Sequence, residues 1–108
     1  MTPFTMTAVH SQGAIGRTGS LRITDRGLRF TPMQTNLPGQ REPLELAFAD
    51  VTFVGTAPRR FWPPAFNGQY LRRLQLGSRE TGTHLFVVRN VDETARVVRD
   101  LWLHEKTD

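Results

Sequence analysis

The sequence has 108 residues, no cysteine and a formal net charge of +4 at pH 7. This length predicts a single domain, here residues 1–108, that can bury its own core. The lack of cysteine excludes a disulfide framework and a thiolate metal site. No apolar run reaches the length of a transmembrane helix, and the first residues lack the basic and apolar blocks of a signal peptide. We therefore expect a cytoplasmic protein.

Arginine carries almost all of the positive charge. Thirteen Arg and one Lys are set against five Asp and five Glu. Arginine makes planar, bidentate contacts with phosphate and carboxylate groups. The arginines are scattered over the chain among the acids, so the charge alone favours an anionic partner only weakly.

The first part of the chain alternates apolar and polar residues in the manner of β-strands. One strand is predicted around "TAVHSQ", and the next two are "GSLRITD" and "GLRFTP". Leu21 must lie opposite Phe30 and Ile23 opposite Leu28, because a shift of one residue would mix the two faces. This register leaves residues 24–27 as a turn between the two strands.

Four further strands and one helix follow. The strands are "EPLELAF", "VTFVGT", "YLRRLQLG" and "THLFVVRN". After them the apolar spacing changes to three and four residues, which predicts an amphipathic helix over 91–104. Asn90 with Glu93 could form a capping box at its start, or Asp92 could cap instead. We predict that the helix packs onto the sheet through Val91, Val98, Leu101 and Trp102.

This order of elements predicts a mainly β fold with one C-terminal α-helix. The strands lie within about residues 4–89, and they are expected to form a seven-stranded antiparallel barrel or sandwich that the helix caps. An open barrel leaves strand edges, expected at "EPLELAF" and "VTFVGT". Such edges invite pairing, so we expect a homodimer or the addition of a strand from a partner peptide.

Four stretches together resemble a known domain family. They are "GSLRITDRGLRFTP", "PLELAFADVTFV", "LQLGSRETGTHLFVVRN" and a helix that ends in Leu101-Trp102. Over about residues 13–104 the chain is similar to a GRAM domain, here in a free-standing form. The matching positions are Gly19, Leu21, Ile23, Thr24, Asp25, Leu28, Phe30, Asp50, Val51, Gly82, Phe86 and Val88. The resemblance implies a pleckstrin-homology-like barrel that binds lipids or proteins, and it identifies no ligand residue.

Residues for catalysis or metal binding are few. His10, His84 and His104 are dispersed and lack metal-ligand spacing, so we interpret them as surface or half-buried side chains. The serines lie at or beside turns and match no nucleophile motif. We therefore expect no enzymatic activity, no metal and no cofactor.

Two arginines of the predicted hairpin oppose each other. The register places Arg22 opposite Arg29 on the outward face, where like charges destabilise a sheet. Glu45 projects outward from the next strand and could bridge them. The alternative is an anion site at these arginines, completed by Arg17 or Arg26.

The segment "RRFWPPAFNGQY", residues 59–70, has neither a helical nor a strand period. Its adjacent prolines stiffen it, and its Asn-Gly pair predicts a tight turn. If the strands alternate up and down, this loop emerges at the same end as the loops at 11–18 and 33–42. We predict a binding surface there, formed by Arg17, Arg41, Arg59, Arg60, Phe61, Trp62 and Phe66. Alternatively, the aromatics fold under the loop and extend the core.

These patterns predict a non-catalytic binding module. Apolar anchors ringed by arginine are typical of protein-binding hot spots. The same set could also contact an anionic membrane surface. We therefore expect recognition of a protein segment or of an anionic lipid surface. Nucleic-acid binding, with arginines on phosphates and aromatics stacked on bases, is the alternative, and the scattered arginines make it less favourable.

Overall fold

The computed structural model of the protein describes residues 3–11, 16–33, 42–58 and 71–107. Over these residues the chain forms seven strands, one 3-10 helix and one α-helix, so the predicted mainly β fold with a C-terminal helix is confirmed. The elements are β1 (Phe4–His10), β2 (Arg17–Ile23), β3 (Gly27–Pro32), β4 (Leu44–Ala47), the 3-10 helix (Phe48–Asp50), β5 (Val51–Ala57), β6 (Arg73–Ser78), β7 (Gly82–Val87) and α1 (Val91–Thr107).

The seven strands form one antiparallel sheet in the order β4-β3-β2-β1-β7-β6-β5. Leu21 lies opposite Phe30 and Ile23 opposite Leu28, as the alternation of apolar residues predicts. β1 starts earlier than "TAVHSQ" indicates, since Phe4 already pairs with Ile23. The hairpin register is therefore confirmed, and the first strand is longer at its amino end than predicted.

The sheet is open, because β4 and β5 are its two edges and do not pair with each other. Both of the strands expected to have free edges are thus edge strands. β4 and β5 also run in the same direction, antiparallel to β1. Simple up-and-down alternation is therefore wrong between them. The strands are staggered, however, so that the end of β5 and the start of β6 lie beside the end of β1: Arg73 donates to Ser11 Oγ at 3.5 Å and to the Pro58 carbonyl oxygen at 3.0 Å.

The core lies between the inner faces of the curved sheet and α1. Apolar side chains on alternate strand positions point inward, and the largest fully buried ones are Phe30, Phe48, Phe86, Leu21, Ile23, Leu74, Leu76 and Val98. Each such side chain contributes about 1.5–3 kcal/mol when it leaves water. The 3-10 helix between β4 and β5 places the side chain of Phe48 in this core. It therefore connects strands β1–β4 with strands β5–β7.

The helix packs as its apolar spacing predicts. Val98 is fully buried, and Val91, Leu101 and Trp102 are partly buried against the core. The Trp102 indole Nε1 also donates a hydrogen bond to the carbonyl oxygen of Val51, 3.1 Å away. These contacts hold α1 against β5, β6 and the 3-10 helix. In the part of the chain that the structure describes, no helix is long and apolar enough to cross a bilayer.

The start of α1 differs from a capping box. Asn90 has φ +47°, whereas an N-cap residue usually has an extended backbone. The Asp92 carboxylate receives two hydrogen bonds from the Arg72 guanidinium, at 2.7 and 2.8 Å. These bonds lower the pKa of Asp92. Asp92 therefore links the helix to the segment before β6 and keeps negative charge in the first helical turn.

Candidate functional site: a basic depression on the outer face

Three charged side chains form a row across the outer face of β2, β3 and β4. Arg22 lies opposite Arg29, and Arg29 lies opposite Glu45. All three are exposed, because their neighbours in each strand point into the core. The opposed arginines that the sequence predicts are therefore present, with a carboxylate on one side only.

Glu45 relieves only part of the electrostatic repulsion between Arg22 and Arg29. Its carboxylate forms an ion pair with Arg29, which is one half of the predicted bridge between the two arginines. The residue opposite Arg22 on its other side is Thr5, which carries no charge. Among the described residues no carboxylate pairs with Arg22. The row therefore keeps a net positive charge, and an anion at Arg22 remains compatible with the ion pair.

Arg26 is brought to the same place by the turn between β2 and β3. The turn is held by a hydrogen bond from the Thr24 backbone N–H to the Gly27 carbonyl oxygen, 2.9 Å long. The Arg26 backbone N–H also donates to Thr24 Oγ1 at 3.1 Å. Because the backbone of Arg26 is fixed in this way, its exposed side chain stays beside the hairpin.

A shallow depression of about 290 Å³ lies between these side chains. We call it the basic depression. Gly27 allows β3 and β4 to approach closely here, because a Cβ atom at this position would lie 2.2 Å from the Leu46 carbonyl oxygen. Residue 27 therefore adds no side chain above the sheet. The lining residues are Arg22, Thr24, Arg26, Gly27, Leu28, Arg29, Glu45, Leu46 and Ala47.

The chemistry of the basic depression is that of an anion site. It holds three guanidinium groups and one carboxylate, so two positive charges are in excess. Guanidinium groups bind phosphate and carboxylate oxygens in a planar, bidentate manner. The large hydrophobic side chains that the described residues leave exposed are Met33, Phe53, Leu71 and Leu103, and none lines the depression.

The comparisons with known proteins bear on the fold. No family model and no curated protein matches the sequence. A solved structure, the C-terminal domain of an unknown protein from Leishmania infantum, is similar with a TM-score of 0.63. The two share 12% identity over 93% of this chain and 82% of that domain. This likeness concerns the fold alone, and the resemblance to a GRAM domain stays a prediction.

Most of the predicted loop surface lies outside the described residues. This holds for Arg41, Arg59, Arg60, Phe61, Trp62 and Phe66. Arg17 is described, and it pairs with His10 at the end of β1, next to Ser11, whose Oγ lies 3.5 Å from Arg73 Nη1 at the start of β6. The grouping of Arg17 with residues 59–70 therefore stays a prediction. Arg17 does not line the basic depression.

Arg17 instead belongs to a buried polar chain that the sequence analysis missed. Its Nε donates to His10 Nδ1 at 2.9 Å. His10 Nε2 and His84 Nδ1 are 3.1 Å apart, and His84 Nε2 lies 2.7 Å from Thr81 Oγ1. The interpretation of His10 and His84 as surface or half-buried is wrong, because their exposed fractions are 3% and 4%.

The hydrogen bonds of this chain determine which imidazole nitrogens carry protons. Arg17 Nε can only donate, so His10 Nδ1 accepts and a neutral His10 carries its proton on Nε2. His84 Nδ1 then accepts from His10, and His84 donates from Nε2 to the Thr81 hydroxyl. Every donor therefore has an acceptor while both rings are neutral.

The electrostatics keep both rings neutral. Burial, then the charge of Arg17, then His84, lower the pKa of His10 from 6.5 to about 3. Burial, followed by Arg17, also lowers the pKa of His84. Within the described ranges no three His, Asp or Glu side chains gather as metal ligands. We interpret the chain as a structural polar link between β1, β2 and β7, stacked on Phe86 at 4.9 Å between ring centroids.

Proposed function

We propose that this chain is a non-catalytic binding module that contacts an anionic membrane surface through the basic depression. The observation that carries the proposal is the convergence of Arg22, Arg26 and Arg29 on one concave site with a single carboxylate. Phosphate groups of lipids supply the oxygen acceptors that these guanidinium groups bind. The proposal includes the cytoplasmic location expected from the sequence, because anionic lipids are abundant in the cytoplasmic leaflet.

The composition of the site favours a headgroup over a protein segment here. A protein-binding hot spot needs a large apolar or aromatic anchor that loses its water on binding. The basic depression offers no exposed anchor of that kind. A charged membrane surface needs only cations within reach of its phosphates, at about 1 kcal/mol for each Arg near the surface.

Vesicle binding tests this proposal. We expect the protein to sediment with vesicles of phosphatidylcholine mixed with phosphatidylserine and not with phosphatidylcholine alone. Arg22→Gln and Arg26→Gln should each weaken this binding roughly fivefold, the equivalent of about 1 kcal/mol. The matched control is Arg79→Gln at the β6–β7 turn, which removes the same charge from an exposed site outside the depression.

Three outcomes would contradict the proposal. One is equal loss of binding in all three variants, which would reflect net charge alone. Another is the absence of any preference for anionic vesicles. The third is tight binding to duplex DNA with a steep salt dependence and no vesicle binding, which would favour the nucleic-acid alternative.

A further inference from the structure

β1 has an open edge that the sequence does not predict. It pairs with β2 along its whole length, from Phe4 to His10. On its other side it pairs with β7 only through Val9 and His10. β7 ends at Val87 and the chain then turns into α1. Residues 4–8 therefore lack a neighbouring strand on that side among the described residues.

Backbone hydrogen-bonding groups of β1 point into the gap beside residues 4–8, on the side that β7 does not cover. The Ser11 N–H donates to the Leu85 carbonyl oxygen at 2.6 Å, so Ser11 directs its backbone groups toward β7. Backbone groups alternate in direction along a strand, so Thr7 and Thr5 direct their N–H and C=O groups to the same side. Neither has a β7 partner. The gap thus offers two donors and two acceptors in the spacing of a β-ladder.

A groove of about 590 Å³ runs along this edge, between residues 5–9 and 87–89. It joins a second hollow toward the start of α1, since Met6 and Arg89 line both. We call the two together the β1 groove. On its inner side lie the partly buried side chains of Phe4, Met6 and Val97. The exposed Thr5 and Thr7 lie on its outer side.

We propose that the β1 groove binds an extended segment of a partner protein, which adds to β1 as a further strand. Strand addition uses backbone hydrogen bonds for affinity and alternate side chains for specificity. Apolar side chains of the incoming segment pack on Phe4, Met6 and Val97. Its other side chains face outward beside Thr5 and Thr7.

Charge complementarity defines the segment further. Among the residues that the structure describes, Arg89 is the only charged one that lines the outer part of the groove. In the described chain no carboxylate pairs with it. Glu93 lines only the part toward α1. An acidic residue therefore belongs on the outward-facing side of the incoming segment, near Arg89.

The walls of the groove favour a free segment over a second copy of this chain. The gap is bounded by residues 87–89 and by Asn90, Glu93 and Thr94 at the start of α1. A single extended segment can enter between these walls and β1. In a second copy β1 is flanked by the same walls, which would meet those of the first copy. This proposal is independent of the membrane contact, because the two sites share no residue.

Selection from a library of random peptides displayed on phage tests the proposal. We expect enriched peptides to alternate apolar and polar residues and to carry an acid, and synthetic versions to protect the Thr5 and Thr7 amides from hydrogen exchange. Thr7→Pro removes the donor that faces the groove and leaves the ladder to β2 intact. It should weaken peptide binding roughly tenfold, as expected for a lost and unsatisfied backbone hydrogen bond.

Two further variants make the test specific. Thr7→Val keeps the backbone N–H and should leave binding within about twofold. Arg89→Glu should shift the selected peptides from acidic to basic. The proposal is overturned if no peptide is enriched, or if Thr7→Pro and Thr7→Val bind equally well while both remain folded. It is also overturned if the protein alone dimerises with protected Thr5 and Thr7 amides, since a second copy would then occupy the edge.

Discussion

Trp102→Ala is expected to lower the free energy of unfolding by about 3–5 kcal/mol, as truncation of a large packed aromatic does. The indole packs against the core at the point where α1 contacts β5. It also gives its N–H to the Val51 carbonyl oxygen. Alanine removes both contributions and leaves that carbonyl without its donor. A urea titration, followed by far-ultraviolet circular dichroism, measures the change.

The neighbouring residue provides the control. Leu103 is also large and apolar, and it lies in the same helical turn, but 44% of its surface is exposed. Leu103→Ala should therefore change stability by no more than about 0.5 kcal/mol. Equal, small effects of the two substitutions would mean that α1 does not hold the core closed. The apolar stripe of the helix would then be a surface for a partner.

Local patterns in the sequence were sufficient for the strands, the hairpin register and the helix. The alternation in β2 and β3 has a period of two, so only one register keeps Leu21 and Phe30 on the buried face. The same logic places Arg22 opposite Arg29 and Glu45 beside them. The outer face of this hairpin was thus predictable, including the ion pair of Arg29.

The contacts between distant parts of the chain were not predictable. His10 and His84 are 74 residues apart, and they meet only because β7 pairs with β1. Neither strand contains a sequence pattern that identifies the other as its partner. The position of His10 between Val9 and Ser11 does not show that its ring faces Phe86. The one available hint is that His84 alternates with Phe86 in "THLFVV", which puts both on one face of a strand.

The open edge of β1 was missed for a related reason. Its extent depends on where β7 ends, and β7 ends at Val87 although apolar residues continue to Val88. The direction of β5 relative to β4 was also mispredicted, because the 3-10 helix at Phe48–Asp50 turns the chain across the core. Three residues that read as strand or turn thus changed the direction of the strand that follows them.

The buried histidines predict that stability falls in mild acid. His10 has a pKa of about 3 in the folded protein and an ordinary value of 6.5. Between these values the unfolded chain binds a proton that the folded protein does not bind. The contribution of the neutral His10 to stability is therefore fully present above about pH 6.5, and it is lost progressively as the pH falls toward 3. His10 alone should cost about 2 kcal/mol between pH 7 and pH 5, and His84 adds to the loss in the same direction.

Two charged groups whose pKa values are lowered keep their charge in this window. The pKa of Asp92 is lowered by its hydrogen bonds with Arg72, so that carboxylate stays charged throughout. Arg17, which faces His10, stays positive although burial lowers its pKa. The loss of stability between pH 7 and pH 5 should therefore be due mainly to the buried imidazoles. Urea titrations at a series of pH values in this range measure the slope.

Substitution of one ring separates this cause from general acid sensitivity. His10→Asn keeps an acceptor for Arg17 Nε but removes the titrating group and the contact with His84. We expect it to be less stable than the natural protein at pH 7, because a buried hydrogen bond and a stacked ring are lost. Its stability should nevertheless change much less between pH 7 and pH 5. Leu103→Ala, which removes an exposed side chain of α1 without an ionisable group, should keep the full pH dependence. If His10→Asn keeps the same slope as the natural protein, His10 is not held neutral by burial and Arg17, and the polar chain from Arg17 to Thr81 does not set the acid stability of this fold.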